Sequence, residues 1–261
     1  MSSNLRSGLV LVVAVTVSVG ITALPIRAAD ESKALQDRVN KLEKKVAKLE
    51  AKLQYISVKQ DPINGLAGPH VIFEDCNVHV RSGSGDTEDS SGLTGRGNLI
   101  VGYNENVDGF YERSGSHNLV VGRFHEYTNW GGFVAGTGNF LTGQACSVSG
   151  GLDNAASGDY ASVSGGTRND ATANYSSVSG GVLNVASGNA SSVSGGSNNS
   201  AGGLYSSVSG GATNLASGDE SSVGGGRQNE SSGRYSSISG GGATVASGID
   251  DWRAGSLFED N

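Results

Sequence analysis

The side chains able to do chemistry are few and scattered. His70, His79, His117 and His125 share no metal-ligand spacing, and each reads as a loop or strand residue. Asp86, Glu88 and Asp89 fall in a Gly/Ser-rich stretch whose oxygens could hold a weak calcium ion. Their spacing matches no EF-hand, however, and no Gly-Gly-x-Gly-x-Asp calcium repeat occurs, so the stretch reads as a solvated loop. Serines are abundant, but no base is placed by motif to activate one. Sequons such as Asn189-Ala190-Ser191 follow from the composition of a repeat. Cys76 and Cys146 either pair in an oxidising compartment or are two small buried residues. The expectation is no enzyme, no metal site and no cofactor.

The elements that would position such groups are unusual. The chain has 42 glycines in 261 residues and only 16% charged residues, which is poor material for an ordinary core. Net charge is −7 and the pI near 5.1, so no basic face is available for nucleic acid. From Ser147 the pattern Ser-Val-Ser-Gly-Gly-x-x-Asn-x-Ala-Ser-Gly-x-Tyr-x runs in one frame. Its aliphatic slot holds Val148, Val163, Val178, Val193, Val208, Val223 and Ile238, every gap being 15. An uninterrupted period of that kind marks a solenoid.

Each repeat reads as a coil of two short strands. Ser-Val-Ser alternates polar and apolar, Gly150 and Gly151 turn the chain, and a second strand passes through the Ala156 slot. Asn154 and its equivalents stand where a left-handed backbone or a side-chain-to-backbone bond is useful. The interior ladder is expected to be valine and alanine. At about 4.8 Å per coil, seven coils make roughly 34 Å. The slot of Tyr160, Tyr175, Tyr205 and Tyr235 also accepts Glu220 and Asp250, so it reads as an exposed row: either a contact stripe or a turn cover. Upstream, Gly132 to Asn139 and the pair Asn98–Gly102 and Asn118–Gly122 continue the frame with drift. Val71–Phe73 and Val78–Val80 are expected to begin this capping region, and Trp252, Leu257 and Phe258 to close the other end.

Two elements precede the repeats. Arg6, an uncharged stretch from Gly8 to Ile26 and the small residue Ala28 read as an export signal cut after Ala28; an uncleaved anchor is the alternative. Leu35, Val39, Leu42, Val46, Leu49, Leu53 and Ile56 then form an unbroken heptad seam. Arg38 and Lys45 at g positions face Glu43 and Glu50 at e positions of a neighbour, which specifies parallel assembly of identical chains. Val at a with Leu at d leans towards two chains. A helix this short is marginal alone. The organisation expected is signal 1–28, coiled coil 31–57, linker 58–70, divergent coils 71–142, regular repeats 143–250 and tail 251–261.

The repeat resembles the head repeats of YadA-like trimeric autotransporter adhesins, whose motif is Ser-Val-Ala-Ile-Gly-x-x-Ala-x-Ala-x-Gly. Ser147, Val148, Gly151, Ala156 and Gly158 match it, and the match covers about residues 131 to 250. The resemblance implies an all-β, left-handed parallel β-roll, three rolls side by side, and attachment to host or matrix surfaces. Gly150 stands where the family has isoleucine, which implies a thinner roll. The coil precedes the head, and the chain ends at Asn261 without the family's membrane barrel, so attachment would need a partner or an uncleaved signal. The expected function is a secreted or cell-surface adhesin-like module binding a host protein, matrix protein or glycan. A spacer or coat protein, and an ice- or polysaccharide-binding solenoid, are the alternatives, though no threonine row favours ice.

Overall fold

The computed structural model describes residues 30–106 and 109–255. The signal segment, Leu257 and Phe258 lie outside the described residues. The chain divides into two units, the first ending at Val78 and the second beginning at His79.

In the first unit a helix runs through residues 30–53 and every one of its residues is exposed. Strand β1 (Ile56–Lys59) pairs antiparallel with β2 (His70–Phe73), placing Ile56 opposite Phe73. Ile56, expected on the heptad seam, therefore lies in a strand. Its β-branched neighbours Val58, Val71 and Ile72 favour an extended backbone over continuing the helix. The expected linker 58–70 is in large part a hairpin. Asn64 and Gly65, both at positive φ, close a tight turn in which Ile63 and Leu66 exchange backbone bonds of 3.0 Å. Val71–Phe73 thus belongs to this hairpin, while Val78–Val80 forms no regular element.

The second unit is a parallel β-solenoid. One sheet has 11 strands and contains β3 (Leu99–Val101), β4 (Leu119–Arg123), β6 (Phe133–Thr137), β8 (Ser147–Val148) and their successors. The other has 9 strands and contains β5 (Glu126–Tyr127), β7 (Phe140–Leu141), β9 (Ala155–Ala156) and their successors. Each short strand pairs with its equivalent one coil away, as Val148 with Val163 and Ala156 with Ala171. A third ladder of single bridges passes through Leu152, Thr167, Val182 and Ser197. From Ser147 to Trp252 the partners keep the 15-residue period. Upstream it changes: Leu99 pairs with Leu119, Leu119 with Phe133 and Phe133 with Ser147, so two of these coils are one residue shorter than the repeat.

The valine and alanine rows are fully buried, as their alternation requires. Two further rows share the interior. Asn139, Asn154, Asn169, Asn184, Asn199, Asn214 and Asn229 are buried, as are Ser176, Ser191, Ser206, Ser221 and Ser236 with Cys146 and Ala161 in the same slot. The interior is therefore half polar, and the expectation of valine and alanine alone is incomplete.

The asparagine row explains how so slim a core holds. Asn184 Oδ1 accepts from the Asn199 N–H at 3.0 Å, while Asn184 Nδ2 donates to the carbonyls of Gly180 at 2.9 Å and Gly196 at 3.0 Å. One amide head thus ties its own turn to the next coil. Aspartate would lack both donors and bury a charge. The left-handed backbone falls on the residue before: Asp153, Arg168, Leu183, Asn198, Thr213, Gln228 and Ala243 have φ between 52° and 59°. At Gly181, φ is +90° and a Cβ would lie 2.2 Å from the Gly196 carbonyl oxygen, whereas at Gly180 a Cβ would meet nothing within 4 Å. The Gly150 row therefore faces open space, and its glycines do not thin the interior.

Candidate functional site

With the interior filled by side chains, any contact surface lies outside. The first sheet presents the same small residues coil after coil, Ser147 and Ser149 around buried Val148. Outward positions of the second sheet vary instead: Ala155, Asp170, Val185, Ser200, Leu215, Glu230 and Val245. One outer face is uniform and the other is diverse.

Tyr160, Tyr175, Tyr205 and Tyr235 stand on the corner that leads back into the first sheet, 51%, 60%, 61% and 41% exposed. All four are left-handed, with φ between 56° and 60°. Each is pinned by its backbone N–H, as Tyr175 to the Asp159 carbonyl at 2.9 Å and Tyr205 to the Asn189 carbonyl at 3.0 Å. The row is broken. Tyr160 and Tyr175 stack with centroids 5.2 Å apart and planes 7° from parallel, but Ala190 and Glu220 isolate Tyr205 and Tyr235. Arg234 lies over the Tyr235 ring at 4.6 Å. The corner can stack on flat apolar faces, and its Asp159, Asp219 and Glu220 neighbours add hydrogen-bond acceptors.

The seam residues Leu35, Val39, Leu42, Val46, Leu49 and Leu53 are 37% to 61% exposed, on a helix with no buried residue. They form an apolar stripe along an otherwise charged helix.

Sequence reasoning missed a second aromatic group. Phe110, Tyr111, Phe124 and Phe140 line an open groove. Tyr111 lies 6.2 Å from both Phe124 and Phe140, and Arg123 sits over Phe124 at 5.1 Å. Asn106 holds the loop by donating to the Tyr111 carbonyl and accepting its N–H. The four residues are spread over three coils of unequal length, so no repeat marked them.

The acidic loop is organised rather than merely solvated. Asp89 is buried and accepts from the hydroxyls of Ser82 at 2.6 Å, Thr94 at 3.0 Å and Ser84. Hydroxyls, that of Ser116 foremost, hold its carboxyl well below the usual carboxylate range. Asp86 is lowered by the Ser90 hydroxyl, which donates to it at 2.7 Å. Among the described residues no three His, Cys, Asp or Glu side chains converge as for a metal.

The histidines fall in four different settings. His70 lies in β2 with Nε2 near the Leu66 carbonyl, and His79 is in an irregular segment. His117 bridges two loop positions, Nδ1 to the Thr87 carbonyl at 2.9 Å and Nε2 from the Ser82 N–H at 3.0 Å. His125 is fully buried inside the solenoid. Both cysteines are free. Cys76 is exposed, whereas burial pushes the Cys146 thiol up to about 11 while its Sγ donates to the Gly143 carbonyl.

No family model matches the chain, and no curated protein matches it. Among the described residues no helix is long and apolar enough to cross a membrane.

Proposed function

We propose that the chain is an exported, non-catalytic, adhesin-like module of the YadA-like head type. In this reading its left-handed roll of 15-residue coils presents a repetitive outer face to host, matrix or glycan surfaces. Identical chains assemble in parallel through the heptad seam, three together by the resemblance, so that weak contacts on each roll add through avidity.

The observation that carries the reading is the tyrosine corner. Four rings stand outside a rigid frame at whole-coil intervals, with more than two fifths of each exposed. Aromatic side chains held this way give large contact area at low entropic cost. A solenoid whose inside is packed with Val, Ala, Asn and Ser offers surface binding in place of a pocket. Export rests on the charge and hydropathy pattern of residues 6–28.

A spacer is the second reading, and the uniform Ser-Val-Ser face favours it, since repetition alone specifies nothing to bind. Binding of the full chain to arrayed glycans and matrix proteins separates the two. The adhesin reading expects a hit that Tyr→Ser at 160, 175, 205 and 235 together weakens at least tenfold without changing the circular dichroism. Undiminished binding by that variant would overturn the tyrosine corner as the contact surface.

A further inference from the structure

His125 occupies a rung of the asparagine ladder. Its N–H donates to Asn104 Oδ1 at 2.9 Å, as each regular rung donates to the one before it. Its Nε2 meets the Val121 carbonyl at 3.1 Å, four residues back, where Asn139 Nδ2 meets Ala135. Its Nδ1 accepts the Asn139 N–H at 3.3 Å, the role that Asn139 Oδ1 plays for Asn154 at 2.8 Å. A carbonyl can only accept, so Nε2 carries the proton and Nδ1 is bare. The imidazole imitates an asparagine amide, but only while it is neutral.

We propose that His125 is an acid-sensitive rung that unlocks the N-terminal coils of the solenoid, those of β4 to β7, and leaves the asparagine coils closed. A proton on Nδ1 sets two donors against each other across the gap to Asn139 and places a charge in a site with no solvent exposure. The bond lost is the one between the coil carrying Phe124 and the coil carrying Phe140, so opening disassembles the aromatic groove and uncovers Tyr127 and Leu141, both buried.

The surroundings give the added proton no counter-charge. Arg113 Nε donates to the His125 carbonyl at 3.2 Å, and its cation disfavours a second one. Glu126 and Arg123 are chain neighbours, the latter over the Phe124 ring; Tyr127 is a buried phenol, and the rungs on either side, Asn104 and Asn139, are neutral. No carboxylate bonds to either ring nitrogen among the described residues.

Burial, foremost, holds the imidazole below its ordinary value. A depressed value means that the contribution is fully present above the unfolded value, about 6.5, and is lost as the pH falls from there through the folded one. One proton taken up on opening steepens the opening equilibrium towards tenfold per pH unit.

Hydrogen–deuterium exchange of the full chain at pH 7.5 and 5.0, corrected for intrinsic rates, tests this, with His125→Asn as the variant because asparagine is the ordinary rung. In the native sequence, protection across residues 119–141 should fall about tenfold or more at pH 5.0, while residues 162–238 keep theirs. In His125→Asn the fall should vanish. Unchanged protection of 119–141 in the native sequence contradicts the proposal, and so does an equal fall in the variant. A response confined to residues 79–98, where His117 makes its contacts, also contradicts it. Should His125→Asn fold poorly, ring-nitrogen NMR of the native chain decides: the Nε2–H tautomer at pH 7.5 supports the rung, and the Nδ1–H tautomer or an imidazolium at that pH overturns it.

Discussion

The coils of β4 to β7 and the coils from Ser147 to Ile238 stack by the same parallel pairing, yet they fill the roll differently. Tyr127, Leu141 and Ala156 are consecutive members of one inward row; so are His125, Asn139 and Asn154 of another. Passing from the drifting coils to the regular ones, the first row shrinks to alanine and the second settles on asparagine. Where the period is fixed at 15, asparagine stacks on asparagine throughout, and the buried row from Asn154 onward contains no titratable group. The irregular coils carry larger side chains, a buried histidine and the aromatic groove.

If the regular coils owe their order to coil-on-coil approach, two adjacent glycines should behave oppositely. Gly181→Ala drives a Cβ into the Gly196 carbonyl at a left-handed φ, so the loss should be about 3 kcal/mol or more. Gly180→Ala points into open space and should change stability by no more than about 0.5 kcal/mol. Urea unfolding of the two variants checks this; equal losses would mean that the approach is looser than described.

The next comparison is between polar and apolar rows. Asn199→Ala strips the buried Asn214 N–H and the part-buried Gly195 carbonyl of their partner and takes one of two donors from the Gly211 carbonyl, which keeps the Ser197 N–H; at about 1–3 kcal/mol for an orphaned group it should cost roughly 3 kcal/mol. Val193→Ala removes about two methylene equivalents and should cost about 2 kcal/mol. The same unfolding measurement ranks them, and the reverse order would make the valine row the chief support.

Cys146 marks the boundary between the two regions. With its thiol pushed up to about 11 and no solvent exposure, it should stay unlabelled by a thiol reagent at neutral pH while Cys76 reacts. Intact-mass analysis reads one adduct per chain in the native state and two after denaturation.

Relief of backbone strain should give a small gain in place of a loss. Thr213 is β-branched and left-handed at φ 58°, a conformation glycine adopts freely. Thr213→Gly should stabilise by up to about 1 kcal/mol, the relieved strain being partly offset by a freer unfolded chain. A shift of the thermal midpoint upwards checks the sign.

Much of the solenoid was legible because its period is exposed by composition: Val148 to Ile238 fixed the coil, and the pairing of Leu99 with Leu119 could be seen from Asn98 and Asn118. The asparagine row was visible as a row but not as core, since burial of an amide depends on carbonyls supplied by neighbouring coils. Its regularity, six residues after each buried valine, was the available signal. Gly150 was misread because a glycine shows no direction until its backbone is placed. Ile56 kept the heptad spacing, but pairing with Phe73, a contact set by the hairpin, outweighed it. The aromatic groove and the His125 rung lie where the period breaks, and there spacing carries no register.

The central claim of the functional account is that one chain is an incomplete object, since every residue of the helix at 30–53 is exposed with its leucines and valines in one stripe. Light scattering of the purified chain lacking residues 1–28 measures this directly. The account predicts the mass of three chains, falling to one when Leu42 and Leu49 are both changed to aspartate. A monomer mass for the unaltered chain, at concentrations well above micromolar, would contradict parallel self-assembly, and a dimer would contradict only the count.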